Sequence, residues 1–389
     1  MDYKTSLRKH MTELCENIGA RPTGSAANKN AAEYAFKTLQ KSGFKVRRQE
    51  FECIDWESFG ATLLIGGRDI PVEPAEYALS CEVQAPFVCL GSVDALRSAE
   101  LKGKVAVLYG DLCNEPLMPK NFEFWNPYEH KQIIALLEEK APAAIIAVSS
   151  LHEHIIQDGD FDIPCAVVSE TMLEAFFVSA GSTAELSINT KRTPVKAYNI
   201  IGVLGTGREK VCFSAHIDTK PATPGALDNA SGVSVLLAFA ETLAETAPSF
   251  QIEIVLLNGE DYYSNPGEIT YMRGLKPGYT MAVNIDGVGL VDSATSVSFY
   301  ECGTGLEGRV MERVDKTVGM EQIEPWPMGD HMIFASCGIP TIAITASNIF
   351  QLLDTVIHSQ NDDMKKIDFD VLERTVAFLH ECLEAAQGG

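Results

Sequence analysis

Hydrophobic positions recur with two different textures along the chain. Residues 4–18 and 26–42 carry a helical pattern. In the second stretch Ala32, Ala35, Phe36 and Leu39 follow an i, i+3, i+4, i+7 spacing that marks one apolar face. Gly43 supplies a stop. FKVRRQEFECI (44–54) alternates with period two and predicts a strand. From about 55 to 193 the runs are shorter: VAVLYG (105–110) and AAIIAVSS (143–150) read as strands, and a helix is expected near 128–140. Pro, Gly and Asp punctuate this part densely, and KRTPVKA (191–197) reads as a polar return linker.

From Tyr198 onward strands and helices alternate. NIIGVLG (199–205), VCFSAHID (211–218), FQIEIVLLNGE (250–260), TMAVNIDGVG (280–289), SVSFYE (296–301) and PTIAIT (340–345) predict strands. Helices are expected near 231–246, 305–318, 328–337 and 368–386. Such alternation predicts an α/β class, with a mixed, mainly parallel sheet and helices on both faces. The expected organisation is one domain built from 1–54 and 194–389, interrupted by an inserted smaller α/β domain at 55–193.

Composition narrows the function classes. The chain has 389 residues, of which 46% are hydrophobic, and a net charge of -22. That charge argues against nucleic acid and anionic membrane as partners, because both demand basic surface. No stretch approaches the ~18 apolar residues of a membrane span. MDYKTSLRKHMTEL lacks the apolar core of a signal peptide. The ten cysteines include no CxxC pair and are expected as reduced thiols of a cytoplasmic protein.

The chemistry is concentrated in five segments: AHID, GALDNASG, LNGED, NIDGVG and HSQNDD. They carry His216, Asp228, Asp261, Asp286 and His358, with Glu260 beside Asp261. Two histidines and three carboxylates are what two zinc ions sharing a bridging carboxylate require. His216, Glu260, Asp261 and Asp286 each fall where a predicted strand ends, the usual ligand side of such sheets. Asp218 lies two residues past His216, on the same strand face, where it can orient the imidazole. Glu260 is the spare carboxylate, suited to moving a proton. Each signal alone has a structural reading: Asp228 and Ser231 as helix caps, the remaining acids and histidines as loop residues.

The ordered set resembles the dinuclear zinc aminopeptidases typified by bacterial leucyl aminopeptidase, a family that also includes glutamate carboxypeptidase-type members. The resemblance spans residues 1–50 and 198–389 and includes GARPTGSAANKNAAEYAFKTLQKSGFKV and GDHMIFASCGIP. It implies a three-layer α/β/α zinc-peptidase fold. It puts His216 and Asp286 on one zinc, Asp261 and His358 on the other, and Asp228 between them. Cobalt or manganese are alternative metals. Glu260 becomes the general acid/base acting on a metal-activated water, and Asp218 the partner of His216. The insert resembles a protease-associated domain by position and texture. The implied function is a zinc-dependent exopeptidase, an aminopeptidase acting on short peptides. The alternatives are a carboxypeptidase or dipeptidase on the same site, a single-zinc glutaminyl cyclase-like acyltransferase, and a non-catalytic binding protein.

The sequence departs from the family at three places. Asp261 stands where glutamate is usual, Ile357 where tyrosine is frequent, and YYSNPGEITYMRG replaces a glycine-rich stretch. Arg273 is the nearest cation for the carboxylate that a carboxypeptidase must hold. Asp330 and His331 match a family position near the pocket, with helix capping as the rival reading. His152 and His154 have metal-like spacing without a third ligand. Cys302 and Cys337 lack a histidine motif and read as inert. Trp56, Trp125 and Trp326 read as core or pocket wall. Side-chain preference, homo-oligomerisation and the role of the insert stay open.

Overall fold

A computed structural model describes residues 3–151, 153–244, 246, 248–352 and 355–387. The chain divides into two compact units, Met1–Cys53 with Val195–Gly389, and Ile54–Pro194.

The first unit is built on a sheet whose strands run, in spatial order, Met320–Gln322, Thr295–Tyr300, Thr341–Ala346, Tyr279–Ile285, Lys210–His216, Gln251–Leu257 and the last part of Thr183–Leu204. Tyr279–Ile285 pairs in parallel with Thr341–Ala346 and with Lys210–His216, which itself pairs in parallel with Gln251–Leu257. Antiparallel pairs join Thr295–Tyr300 to Thr341–Ala346 and Gln251–Leu257 to residues 200–204. The sheet is therefore mixed and mostly parallel, the α/β class read from the alternation of elements.

Its central strands are buried on both faces, as helices above and below require. Val211, Phe213 and Ala215 enter a core shared with Tyr3–Thr12, Ala26–Lys41, Ser231–Thr242 and Phe369–Gln387. Cys212, pointing the other way, meets Tyr271 of the helix Pro266–Gly274, and Tyr271 packs on Phe334 of Met332–Ala335. Ser231–Thr242 is buried around almost its whole circumference, which its apolar composition allows.

The second unit carries four parallel-paired strands, Cys81–Leu90, Val105–Leu108, Ala144–Ser149 and Cys165–Ser169. Antiparallel partners close both sides. Alternate residues of these strands feed two separate cores. Gly66 and Gly67, both at positive φ, make the tight turn between residues 63–65 and Arg68–Ile70.

Three expectations change. KRTPVKA lies inside the strand Thr183–Leu204, and its positions 191–196 are exposed or half-exposed, so no apolar alternation betrayed it. The strand begun at 44–54 continues to Ile65. The helix expected at 328–337 contracts to Met332–Ala335, because Gly329 takes a φ of 113° that a helix cannot hold. Pro266–Gly274 was not anticipated; Pro266 sits in its first turn, where a missing N–H costs nothing.

Candidate metal centre

His216 is the last residue of Lys210–His216, at the edge where parallel strands leave unpaired chain ends. Its side chain is fully buried, and Nε2 lies 2.9 Å from Asp228 Oδ1 and 3.5 Å from Asp286 Oδ1. Asp286 follows the parallel neighbour Tyr279–Ile285 directly. Asp261 sits beyond the other neighbour, Gln251–Leu257, and its Oδ1 lies 3.0 Å from His358 Nε2. His358 comes from a separate turn, at a φ of 59°.

Asp228 joins the two halves. One of its oxygens faces His216, and the other lies 3.1 Å from His358 Nε2. Two groups of donor atoms result, His216–Asp228–Asp286 and Asp228–Asp261–His358, each gathered within 4.8 Å and able to hold a metal ion. All five residues singled out from the sequence are thus brought together.

The chemistry of these atoms fits a divalent cation. Both ring nitrogens of His216 and both oxygens of Asp261 are buried without a hydrogen-bond partner. Ligand atoms ~2.0–2.2 Å from a tetrahedral zinc would sit roughly 3.3–3.6 Å from one another; the His216–Asp286 separation of 3.5 Å falls in that range, and the others, at 2.9–3.1 Å, are somewhat shorter. Burial alone would lower the pKa of His216, but Asp286, Asp218 and Asp228 outweigh it and raise it well above the ordinary value. The cluster is therefore a concentration of negative charge that calls for cations. Aspartate in place of glutamate at 261 still reaches His358.

A surrounding scaffold fixes these groups. The Asp362 carboxylate accepts from the backbone N–H of Leu227 at 2.7 Å and of Asp228 at 3.0 Å. Asp218 is buried beside His216, with Oδ1 3.6 Å from Nδ1, too long for a hydrogen bond. Its other oxygen accepts from Thr23 at 2.7 Å and from the Asp261 N–H at 3.2 Å. Asp218 thus ties the N-terminal turn to the Asp261 loop and does not line the cavity. Arg21, completely buried, donates to the carbonyls of Ile217, Pro224 and Gly225 at 2.7, 2.8 and 3.0 Å. It spans the loop between His216 and Asp228. Asn258 exchanges a pair of 2.9 Å amide bonds with Asn28. Sequence reasoning left Arg21 and Asn258 unassigned; the only signal was an arginine in GARPTGS, a turn with no local acid to pair it.

The cluster floors a cavity of about 190 Å³ that opens to solvent. Asp228, Glu260, Asp286 and His358 form its polar part, while Trp326, Met328, Ile349, Phe350 and Ile357 supply an apolar wall. Burial, with Asp261, Asp330 and Asp286 as like-charged neighbours, raises the Glu260 carboxyl well above its usual range. His331 lies between Tyr300 and Trp326, with ring centroids 4.6 and 4.9 Å away. Burial lowers its pKa to about 4, so it is neutral, and Nε2 donates to the Trp326 carbonyl at 3.0 Å. Asp330 does not cap the short helix that follows, since neither of its buried oxygens accepts from an N–H of that helix.

Other candidates fall away from the site. Arg273 is exposed and does not line the cavity. His154 accepts the Glu76 N–H, and His152 lies outside the described residues. Trp56 donates to Ala78, and Trp125 is exposed. Every cysteine is a free thiol, Cys302 half-buried and Cys337 exposed.

The site is thus a carboxylate–imidazole cluster at the carboxyl ends of a mixed α/β sheet, beside an apolar cleft. Residues 199–383, the segment carrying all five cluster residues, match Peptidase family M28. The resemblance to zinc aminopeptidases is borne out among known proteins. Aminopeptidase YwaD of Bacillus subtilis is 28% identical over 266 residues, covering 64% of this chain and 54% of YwaD. The chain spans about half the length of the curated relatives it matches. The fold is similar to that of BSAP, a zinc aminopeptidase from Bacillus subtilis, with a TM-score of 0.79 and 20% identity over 98% of this chain and 95% of that one. A glutaminyl cyclase from Porphyromonas gingivalis shares the fold more distantly, with a TM-score of 0.53 and 17% identity over 98% of this chain and 96% of that one.

Proposed function

We propose that this chain is a dinuclear zinc aminopeptidase that removes N-terminal residues from short peptides. The observation that carries it is the Asp228 carboxylate, whose two oxygens face different histidines at 2.9 and 3.1 Å. On this reading His216 and Asp286 would hold one metal and Asp261 and His358 the other, with Asp228 offering an oxygen to each group. Zinc supplies, when bound, a Lewis acid that acidifies water and polarises a carbonyl.

The chain's own groups do the rest. Glu260 lines the cavity beside the cluster, and its raised basicity suits it to accept the proton of the attacking water. The same carboxyl then returns that proton to the amide nitrogen, so that the C–N bond breaks and a neutral amine leaves. Asp218, 3.6 Å behind the His216 ring, contributes negative charge there without a hydrogen bond. The polar lining is carboxylate and imidazole, with no lysine or arginine among the described lining residues. With no such cation to pair a free carboxylate, the lining favours an aminopeptidase over a carboxypeptidase. The apolar wall receives the side chain of the residue to be released.

We read residues 55–193 as a protease-associated-like insert within the catalytic domain formed by 1–54 and 194–389. Free thiols throughout support a reducing, cytoplasmic setting. Among the described residues no helix is long and apolar enough to cross a membrane.

The test measures metal per chain together with hydrolysis of aminoacyl amides and N-blocked peptides, in wild type and in Glu260→Gln. The expected result is two metals, hydrolysis of free-amine substrates only, and a fall of about 10²-fold or more in the variant. A single metal with cyclisation of N-terminal glutamine would move the protein to the cyclase chemistry. Activity indifferent to Glu260 would end the mechanism.

A further inference from the structure

A second pair of acids lies behind Glu260, and the reaction just described does not use it. Glu268 is 2% exposed and Asp330 is 0% exposed. Glu268 belongs to the first turn of Pro266–Gly274. That turn is pressed against the end of Gln251–Leu257: a Cβ on Gly267 would fall 1.8 Å from the Asn258 carbonyl oxygen. The Gly267 carbonyl accepts from Asn199 at 2.8 Å. The close approach leaves Glu268 no path to solvent.

Its carboxyl is held on one side by the Asn265 side-chain amide, which also donates to the Glu260 backbone carbonyl at 3.1 Å. On the other side it lies within hydrogen-bonding reach of Asp330. Both oxygens of Asp330 are buried without a donor. Among the described residues neither acid has a lysine or arginine partner. The other charged groups that face Glu268 include Glu260 and Asp218, and those that face Asp330 include Glu260, Asp286 and His216.

Two carboxylates in contact, out of water and without a cation, cannot both stay ionised. We propose that Glu268 and Asp330 are joined by a carboxylic proton and act as positioning residues, clasping the Glu260 loop to the wall formed by Trp326, Met328 and His331. The clasp has a short chain of parts. Asp330, with no other donor near it, holds the proton and donates to Glu268; Glu268 holds Asn265; Asn265 holds the carbonyl of Glu260. Burial pushes Glu268 up to about 8 and Asp330 well above the carboxylate range, in the same sense. The role in peptide cleavage rests on the aminopeptidase reading, whereas the protonated pair itself does not.

The experiment therefore has two arms, both on the full chain. Infrared difference spectra at pH 7 compare wild type with Asp330→Asn. A protonated carboxyl C=O band present in wild type and lost in the variant is expected, whatever the protein catalyses. Kinetics on an aminoacyl amide compare Asp330→Ala with Asp330→Asn, whose amide still donates to Glu268. Asp330→Ala is expected to lower kcat/KM roughly tenfold, the effect of one broken buried hydrogen bond, and Asp330→Asn to recover most of it. Equal spectra would overturn the shared proton. Asparagine no better than alanine, in variants that keep the wild-type circular dichroism, would overturn the clasp. Absence of peptidase activity in wild type, with the band present, would count against the aminopeptidase reading and leave the protonated pair standing.

Discussion

Arg21 offers the sharpest test of how the cluster is held. Its guanidinium is completely buried and meets the carbonyls of Ile217, Pro224 and Gly225, with no carboxylate in contact. Burial lowers its pKa, while Asp218, Asp362 and Asp228 pull the other way. Arg21→Met fills similar volume and removes three donors. A buried acceptor left unsatisfied costs ~1–3 kcal/mol, and such losses are not additive. We expect Arg21→Met to lower the unfolding free energy by about 4 kcal/mol, out of a typical ~5–15 for a domain. Arg21→Lys keeps the charge but loses the planar fork, and about 2 kcal/mol is expected. The loop these carbonyls belong to joins His216 to Asp228, so metal affinity should fall ~10–100-fold, as for groups that orient ligands. Urea unfolding followed by circular dichroism gives the first quantity, and competition with a zinc chelator gives the second. A stability loss under about 1 kcal/mol, or unaltered metal retention, would refute the argument that this cation holds the loop.

Two further outcomes follow from the geometry. Asp228→Asn preserves shape but replaces one of the two facing oxygens by an amide; metal content should drop below two per chain by mass spectrometry, with near-total loss of hydrolysis. The proton shared by Glu268 and Asp330 titrates differently in the two states of the protein. Unfolded, both acids ionise near pH ~4; folded, burial raises both, Glu268 to about 8, and one proton stays between them. The folded state therefore binds more protons between those values, and stability falls as pH rises through that window. Asp330→Asn does not ionise, so it should gain up to about 4 kcal/mol on wild type between pH 5 and pH 9. Parallel stability profiles for the two proteins across that range would contradict the buried acid.

Much of the architecture was legible because it depends on local periodicity. Apolar runs of strand length, separated by helical patterns, placed the strands from Tyr198 onward within a few residues, since a strand covered on both faces must be apolar throughout. Polar and conformationally special segments were less legible. KRTPVKA is a strand whose side chains are largely exposed, and the helix at Pro266 hides among turn residues. The candidate ligands could be named because their residue types and their places at strand ends are both sequence properties.

What the sequence by itself determined, then, is the set of chemical groups and the order in which strands deliver them. Tertiary structure alone decided which oxygen of Asp228 faces which histidine, because these depend on parallel registry between neighbouring strands and on a turn some 130 residues away along the chain. It also decided that Arg21 braces the loop, that Asp330 meets Glu268 and that Arg273 stays outside the cavity. Burial creates these last relations: an arginine, an aspartate and a glutamate are ordinary surface residues until packing removes their water, and only then must each find a partner or a proton.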